Sequence, residues 1–103
     1  MANLIDDTTQ TSTVSSTSRK FVVRRGEFVA LRSTNLDGSA VVALYYDGPD
    51  GTFNTATDDS GTAVTLTPTN PERLVNVPGD YRVAVTSAST TGGVVFVSGT
   101  KVL

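Results

Sequence analysis

Apolar and polar residues alternate along most of this chain with a period of two, the spacing that places side chains on opposite faces of a β-strand. The alternation is found in residues 20–24, 62–67 and 81–86, short apolar runs at 28–32 and 94–97 are also predicted as strands, and glycine, proline, aspartate and threonine are frequent in the intervals. No stretch has an apolar period of 3.6 over three helical turns. The pattern therefore predicts an all-β chain with strands about ten residues apart.

Residues 40–46 are apolar on both faces of the predicted strand. A second sheet would cover one face and a second subunit the other, so we expect a homo-oligomer, either a dimer or a trimer. Tyr45 and Tyr46 are adjacent and must point to opposite faces. One of them is expected at an interface or in solvent, in contact with protein or stacked on a sugar.

The strand spacing predicts an antiparallel β-sandwich, either immunoglobulin-like or jelly-roll-like. Pro78 and Gly79 occupy the second and third positions of a predicted type II turn ahead of the strand at 81–86. The inward faces of the strands are expected to bring six side chains into one core: Val64, Leu66, Tyr81, Val83, Val85 and Phe96.

The N-terminal segment has a different composition, because residues 8–18 are threonine, serine and glutamine with the single apolar residue Val14. Such a segment buries too little apolar surface to offset the entropy lost on ordering. We interpret residues 1–18 as an extended polar arm that a partner holds in place, and residues 19–103 as a single sandwich domain. The alternative is a first edge strand at residues 10–14.

The chain contains no histidine and no cysteine. The usual general base, thiol nucleophile and metal ligands are therefore missing, and we expect neither enzymatic activity nor a cofactor. With 8 basic and 10 acidic residues, the net charge of -2 creates no field that would attract nucleic acid or an anionic membrane. The N-terminus has no basic and apolar regions of a signal peptide, so we expect a soluble protein without a secretion signal.

Four aspartates lie in and beside one connection: Asp47, Asp50, Asp58 and Asp59. Their carboxylates could supply oxygen ligands to Ca²⁺, but Pro49 stands where a calcium loop places its second ligand. Aspartate also forms turns through hydrogen bonds to nearby backbone N–H groups. Turn formation is the favoured interpretation, and a calcium site is the alternative.

A basic cluster surrounds the first predicted strand of the sandwich: Arg19, Lys20, Arg24 and Arg25. Charged side chains on an exposed edge strand prevent the edge-to-edge association of sheets. The same cluster could instead bind an acidic protein surface. A nucleic-acid platform is disfavoured, because Phe21 is the only aromatic residue within the cluster and its parity points it inward.

Three segments carry a resemblance to a known class of proteins: residues 44–53 (LYYDGPDGTF), 61–67 (GTAVTLT) and 78–83 (PGDYRV). They are similar to the pattern in small all-β virion proteins of tailed bacteriophages, which include capsid decoration, cement and head-fibre proteins. The similarity extends over residues 20–98. The last segment also resembles the strand entry of cell-surface sandwiches, in which the tyrosine makes a corner hydrogen bond.

The resemblance implies a non-enzymatic structural protein, made in the host cytoplasm, that binds the outer capsid surface and stabilises the shell. Its implied partners are the major capsid protein and copies of itself. The alternative is a carbohydrate- or receptor-binding module of a tail fibre or cell-surface protein, and a tail or neck component is a third possibility. The candidates for protein contact are Leu4, Ile5, Val14, Arg19, Lys20, Arg24, Arg25, Tyr45 and Tyr46.

Overall fold

A computed structural model describes residues 2–58 and 60–102, which form two antiparallel β-sheets packed face to face. This confirms the predicted sandwich, and no helix occurs in the described residues. The strands are β1 (Ala2–Ile5), β2 (Lys20–Val23), β3 (Glu27–Ser33), β4 (Val41–Asp47), β5 (Phe53–Thr55), β6 (Thr65–Leu66), β7 (Glu72–Val75), β8 (Gly79–Ser87) and β9 (Val95–Val102).

The strand order is that of a jelly roll. One sheet has the order β1-β9-β3-β7, and the other has the order β2-β8-β4-β5 with β6 also paired to β4. Because β5 and β6 pair with different parts of the same edge of β4, they act as one interrupted strand. The chain is then a long hairpin wound on itself, in which β1 pairs with β9, β2 with β8, β3 with β7 and β4 with β5 and β6.

The core lies between the two sheets and follows the predicted alternation. Along β2, exposed and buried residues alternate, with Phe21 and Val23 inward. Of the six predicted core residues, four are buried and Val64 packs partly buried against them. The largest fully buried side chains include Leu31, Leu44 and Leu66.

Phe96 is the exception, and its predicted place in the core is wrong. Val95 is fully buried and Val97 packs partly buried against the core, so the parity of β9 turns Phe96 to the outer face. All four residues at 94–97 are apolar, so both sets of alternate residues could face the core. The hydrophobic pattern alone therefore does not determine which side chains of this strand point inward.

The predicted type II turn at Pro78 and Gly79 is also wrong. Strands β7 and β8 belong to different sheets, so their connection crosses between sheets instead of closing a hairpin. Gly79 is already the first residue of β8, where it pairs with Val23. Its φ of 158° is nearly extended, far from the value of about +80° that a type II turn requires.

The N-terminal segment packs on its own domain, and the expectation that only a partner would hold it is wrong. The first strand is Ala2–Ile5, not residues 10–14, and it pairs with β9. Leu4 is 7% exposed and belongs to the core, and Thr8 is fully buried. Backbone pairing with β9 and the burial of these two side chains hold the segment on the sandwich, and composition alone does not predict either contact.

Candidate functional site: an open groove between the sheets

One side of the sandwich is open. The edge of the five-stranded sheet there consists of the short strands β5 and β6, which face the edge strand β7 of the other sheet. A pocket of about 460 Å³ lies along this opening. We call it the open groove and define it by its apolar lining: Leu44, Tyr46, Val64, Leu74, Val75 and Val77.

Three of the four large apolar side chains that are exposed in the described residues line the open groove. Leu74 is 61% exposed, Val77 is 58% exposed and Tyr46 is 42% exposed, whereas the only other large exposed apolar side chain described is Val22. Three apolar side chains grouped around a pocket indicate a binding surface more strongly than the same residues scattered singly.

Tyr81 fixes one wall of the open groove. Its ring stacks on Phe21 with the centroids 5.4 Å apart, and its hydroxyl donates a hydrogen bond of 2.5 Å to the backbone carbonyl of Val77. A corner hydrogen bond of this kind is what the similarity of residues 78–83 to the strand entry of cell-surface sandwiches implied. Burial raises the pKa of Tyr81, so its hydroxyl stays protonated and remains a hydrogen-bond donor. The bond fixes the position of Val77 in the connection between β7 and β8.

The charged groups at the rim are paired. Asp58 lies 3.9 Å from Arg73, and Asp80 lies 3.6 Å from Lys20. Asp47 is paired with Arg82 at 3.1 Å. The rim is therefore locally neutral, and the apolar lining dominates what this surface can recognise.

The described aspartates of the 47–58 region act in turns and ion pairs. Asp50 accepts hydrogen bonds from the hydroxyl and backbone N–H of Thr52, and these lower its pKa. Asp58 accepts bonds from the backbone N–H groups of Thr62 and Ser60, with the same effect on its pKa. Asp59 lies outside the described residues. In the described part of the chain no three carboxylates come together as a potential metal site.

The basic cluster is divided among separate contacts. Arg19 donates a hydrogen bond of 2.8 Å to the carbonyl of Asn3. Lys20, which lies on the edge strand β2, forms an ion pair with Asp80. Arg24 and Arg25 are exposed in the turn that links β2 to β3. The placement of Lys20 on a sheet edge agrees with the edge-protection interpretation.

The candidate contact residues of the N-terminal segment are used within the chain. Leu4 is in the core, so its side chain is not available to a partner in this conformation, and Ile5 packs partly buried against the core. Val14 is half-buried. The apolar residues of the segment close one side of the sandwich rather than project from it.

Tyr45 and Tyr46 point to opposite faces of β4. Tyr46 lies on the inward face, but at the strand end, where it lines the open groove. Tyr45 lies on the outer face with Val41 and Ala43, and all three are half-buried within one chain. The apolar pattern of that outer face therefore does not by itself require a second subunit.

Leu74 and Val77 are site residues that sequence reasoning missed. Residues 74–77 read as a short strand, and nothing in their alternation distinguishes an exposed apolar residue from a buried one. The available signal was the pair Pro71 and Pro78, which lack backbone N–H donors and mark the segment between them as an edge strand.

Comparison with known proteins adds no family. No protein-family model matches the chain, and neither a curated protein nor a solved structure matches it. Among the described residues, no helix has the length and apolar character needed to cross a bilayer. The function must therefore be argued from the groove and the fold.

Proposed function

We propose that this chain is a non-enzymatic virion structural protein of a tailed bacteriophage that binds the outer capsid surface and stabilises the shell. The observation that carries the proposal is the open groove, in which Tyr46, Leu74 and Val77 are exposed together beside one pocket. The partner is the major capsid protein, and the contact is made by the groove.

The chemistry of the groove favours a protein surface as the partner. Its two most exposed members, Leu74 and Val77, are aliphatic, and burial of aliphatic surface is the main favourable contribution to protein association. Tyr46 adds an aromatic side chain of the type that is enriched among residues dominating binding energy. The paired rim charges leave few unpaired groups to desolvate on contact.

The fold and the composition support the same proposal. Jelly rolls include viral capsid domains as well as lectins and cupins, so the fold is compatible with the proposal without selecting it. A sequence without histidine or cysteine offers little for catalysis. The similarity of residues 44–53, 61–67 and 78–83 to small phage virion proteins supports the capsid among these possibilities.

A carbohydrate-binding module is the second candidate, and Tyr46 is the observation that favours it. An exposed tyrosine at a pocket can stack on a sugar ring, and the pocket lining also includes the amide side chain of Asn76. This candidate predicts a different ligand. The isolated domain should bind glycans in the absence of any capsid.

The experiment compares charged substitutions inside and outside the groove. Leu74→Asp and Val77→Asp place a carboxylate in the proposed contact, and Val22→Asp is the matched control on β2. All three side chains are exposed, so the variants are expected to melt close to the unaltered protein. Binding to purified capsids that lack this protein should fall at least tenfold for the groove variants, as about 1.4 kcal/mol of lost affinity implies, and stay unchanged for the control.

Two outcomes would contradict the proposal. Equal capsid binding by all the variants would remove the groove as the contact. Binding of the isolated domain to a glycan array, abolished by Tyr46→Ala and absent for capsids, would select the carbohydrate-binding candidate instead.

A further inference from the structure

We propose that residues 2–8, which we call the exchange segment, occupy in a second copy of this chain the same slot that they fill in their own. The partner is thus another molecule of this protein, and the interaction surface is the edge of β9 with the adjoining loop 88–93. The proposal goes beyond the function proposed above and requires no particle for its test.

The first half of the slot is the edge of a sheet. Strand β1 pairs only with β9, through Ala2 opposite Val97, Asn3 opposite Phe96 and Ile5 opposite Val95. Among the described side chains of β1, Leu4 is buried in the core and Ile5 packs partly buried against it. If the exchange segment leaves, it exposes an unpaired strand edge beside an apolar hole, and such an edge accepts a matching strand.

The second half of the slot is built for Thr8. Its backbone N–H donates to the carbonyl of Gly93 at 3.1 Å, and its carbonyl accepts a bond from the Ser89 N–H at 2.9 Å. The two hydroxyl groups of Thr8 and Ser89 lie 2.7 Å apart in a buried position. A Cβ on Gly93 would lie 2.9 Å from the Thr8 hydroxyl oxygen, so glycine at this position leaves room for the threonine side chain.

A short hinge separates the exchange segment from the rest of the chain. In the part of the chain that the structure describes, residues 9–11 make no hydrogen bond to the sandwich, and Thr9 bonds only to Asp7. The chain is fixed again at Ser12, which exchanges hydrogen bonds with the backbone of Val85 at 2.9 and 3.0 Å. The exchange segment can therefore leave while everything from Ser12 onward stays in place.

The hinge limits how two copies can meet. From Thr8 to Ser12 the extended chain spans roughly 14 Å, so the slot of the second copy must lie within that distance of Ser12. In an exchanged pair every contact of the slot is retained, and only the connection between the slot and its occupant differs. Local protein concentration therefore determines how often the segment exchanges.

Strand β2 provides a contrast within the same molecule. It also lies at a sheet edge, but it buries both Phe21 and Val23 and is joined to β3 through only residues 24–26. It cannot be exchanged without disrupting the core. A test can thus compare two edge strands of equal length in one protein.

The experiment uses the natural absence of cysteine. An Asn3→Cys variant and an isotope-labelled Phe96→Cys variant are unfolded, mixed, refolded together at about 1 mM and at a hundredfold lower concentration, and oxidised. Directly opposed residues of antiparallel strands lie within the Cα range of a disulfide. Mass spectrometry measures the disulfide between the two chains. Val22→Cys mixed with Asp80→Cys is the control pair, because these residues are opposed in β2 and β8.

We expect the Asn3–Phe96 disulfide between chains to exceed the control pair several-fold at the high concentration and to fall on dilution. The double variant Asn3→Cys/Phe96→Cys should close within one chain when dilute, which shows that the pair is competent to react. An interchain yield no higher than the control at high concentration, with the double variant closing normally, would overturn the proposal. Failure of the double variant to close would overturn it as well, because the slot would then not hold β1 in this register.

Discussion

The guanidinium of Arg82 and the carboxylate of Asp47 form the most buried ion pair described in this protein. The Nε atom of Arg82 lies 3.1 Å from Oδ1 and 3.2 Å from Oδ2 of Asp47, and the two side chains are 12% and 22% exposed. Arg82 also donates from Nη1 to the carbonyls of Ser16 and Ser18 and lies over the ring of Phe53. One side chain thus joins β4, β5, β8 and the N-terminal segment.

Replacement of Arg82 by glutamine should lower the free energy of unfolding by about 2 kcal/mol, because it removes several hydrogen bonds to a charged group and leaves Asp47 without a partner. The matched control is Arg32→Gln, whose ion pair with Glu72 is half-exposed and worth less than about 1 kcal/mol. Denaturant unfolding of both variants measures the difference. Equal effects would show that Arg82 is not the junction described above.

Leu31→Ala should cost about 3 kcal/mol of stability, since Leu31 is 1% exposed in the core. Phe96→Ala should cost clearly less, although phenylalanine is the larger side chain, because Phe96 lies on the outer face of β9. The comparison of their denaturant midpoints tests the register of β9. A larger loss for Phe96→Ala would place that ring in the core and contradict the parity observed here.

Gly93→Ala should destabilise the fold by about 3 kcal/mol or more, because the added Cβ would lie 2.0 Å from the backbone carbonyl oxygen of Thr34 and crowd Thr8. Gly92→Ala is the adjacent control: a Cβ there meets no atom within 4 Å, and thermal unfolding should change little. Similar melting of the two variants would mean that the Thr8 site is looser than described.

Tyr81→Phe should lower stability by about 1 kcal/mol at neutral pH, because it removes the hydrogen bond to Val77 and keeps the ring stack on Phe21. Burial raises the pKa of Tyr81 in the folded state, so the unfolded chain loses the phenolic proton first. The Tyr81 contribution is therefore complete below about pH 10 and declines as the pH rises further. Urea unfolding between pH 8 and 11, with pH values chosen around the tyrosine pKa of about 10, should show a smaller alkaline loss for Tyr81→Phe than for the unaltered protein.

Sequence reasoning works best here where only one face of a strand is apolar. The alternation of β2 and of residues 81–85 determines their orientation, because a slip of one residue would bury polar side chains. It fails at β9, where both phases are apolar, and at β5, whose three residues lie in a segment rich in glycine, aspartate and threonine. The pattern contains no information about which sheet a strand joins, so it also left the immunoglobulin-like and jelly-roll-like orders unresolved.

The candidate site was less predictable for a related reason. Tyr46 was identified because it adjoins Tyr45, but the open groove arises from the shortness of β5 and β6 and from the crossing between β7 and β8. Those are properties of the assembled sheets. In the N-terminal segment, Thr8 and Leu4 find their sites on β9 and loop 88–93, nearly the whole chain length away, and composition does not reveal such distant contacts.

The most direct test of the proposed function is the copy number of this chain in purified virus particles, measured by quantitative mass spectrometry against the major capsid protein. A protein that binds the outer capsid surface through its open groove should be present in many copies, in a fixed ratio to the capsid subunit, and Val77→Asp should reduce that ratio while Val22→Asp should not. Absence of the chain from the particle, or presence in only a few copies, as for a tail or neck component, would contradict the account.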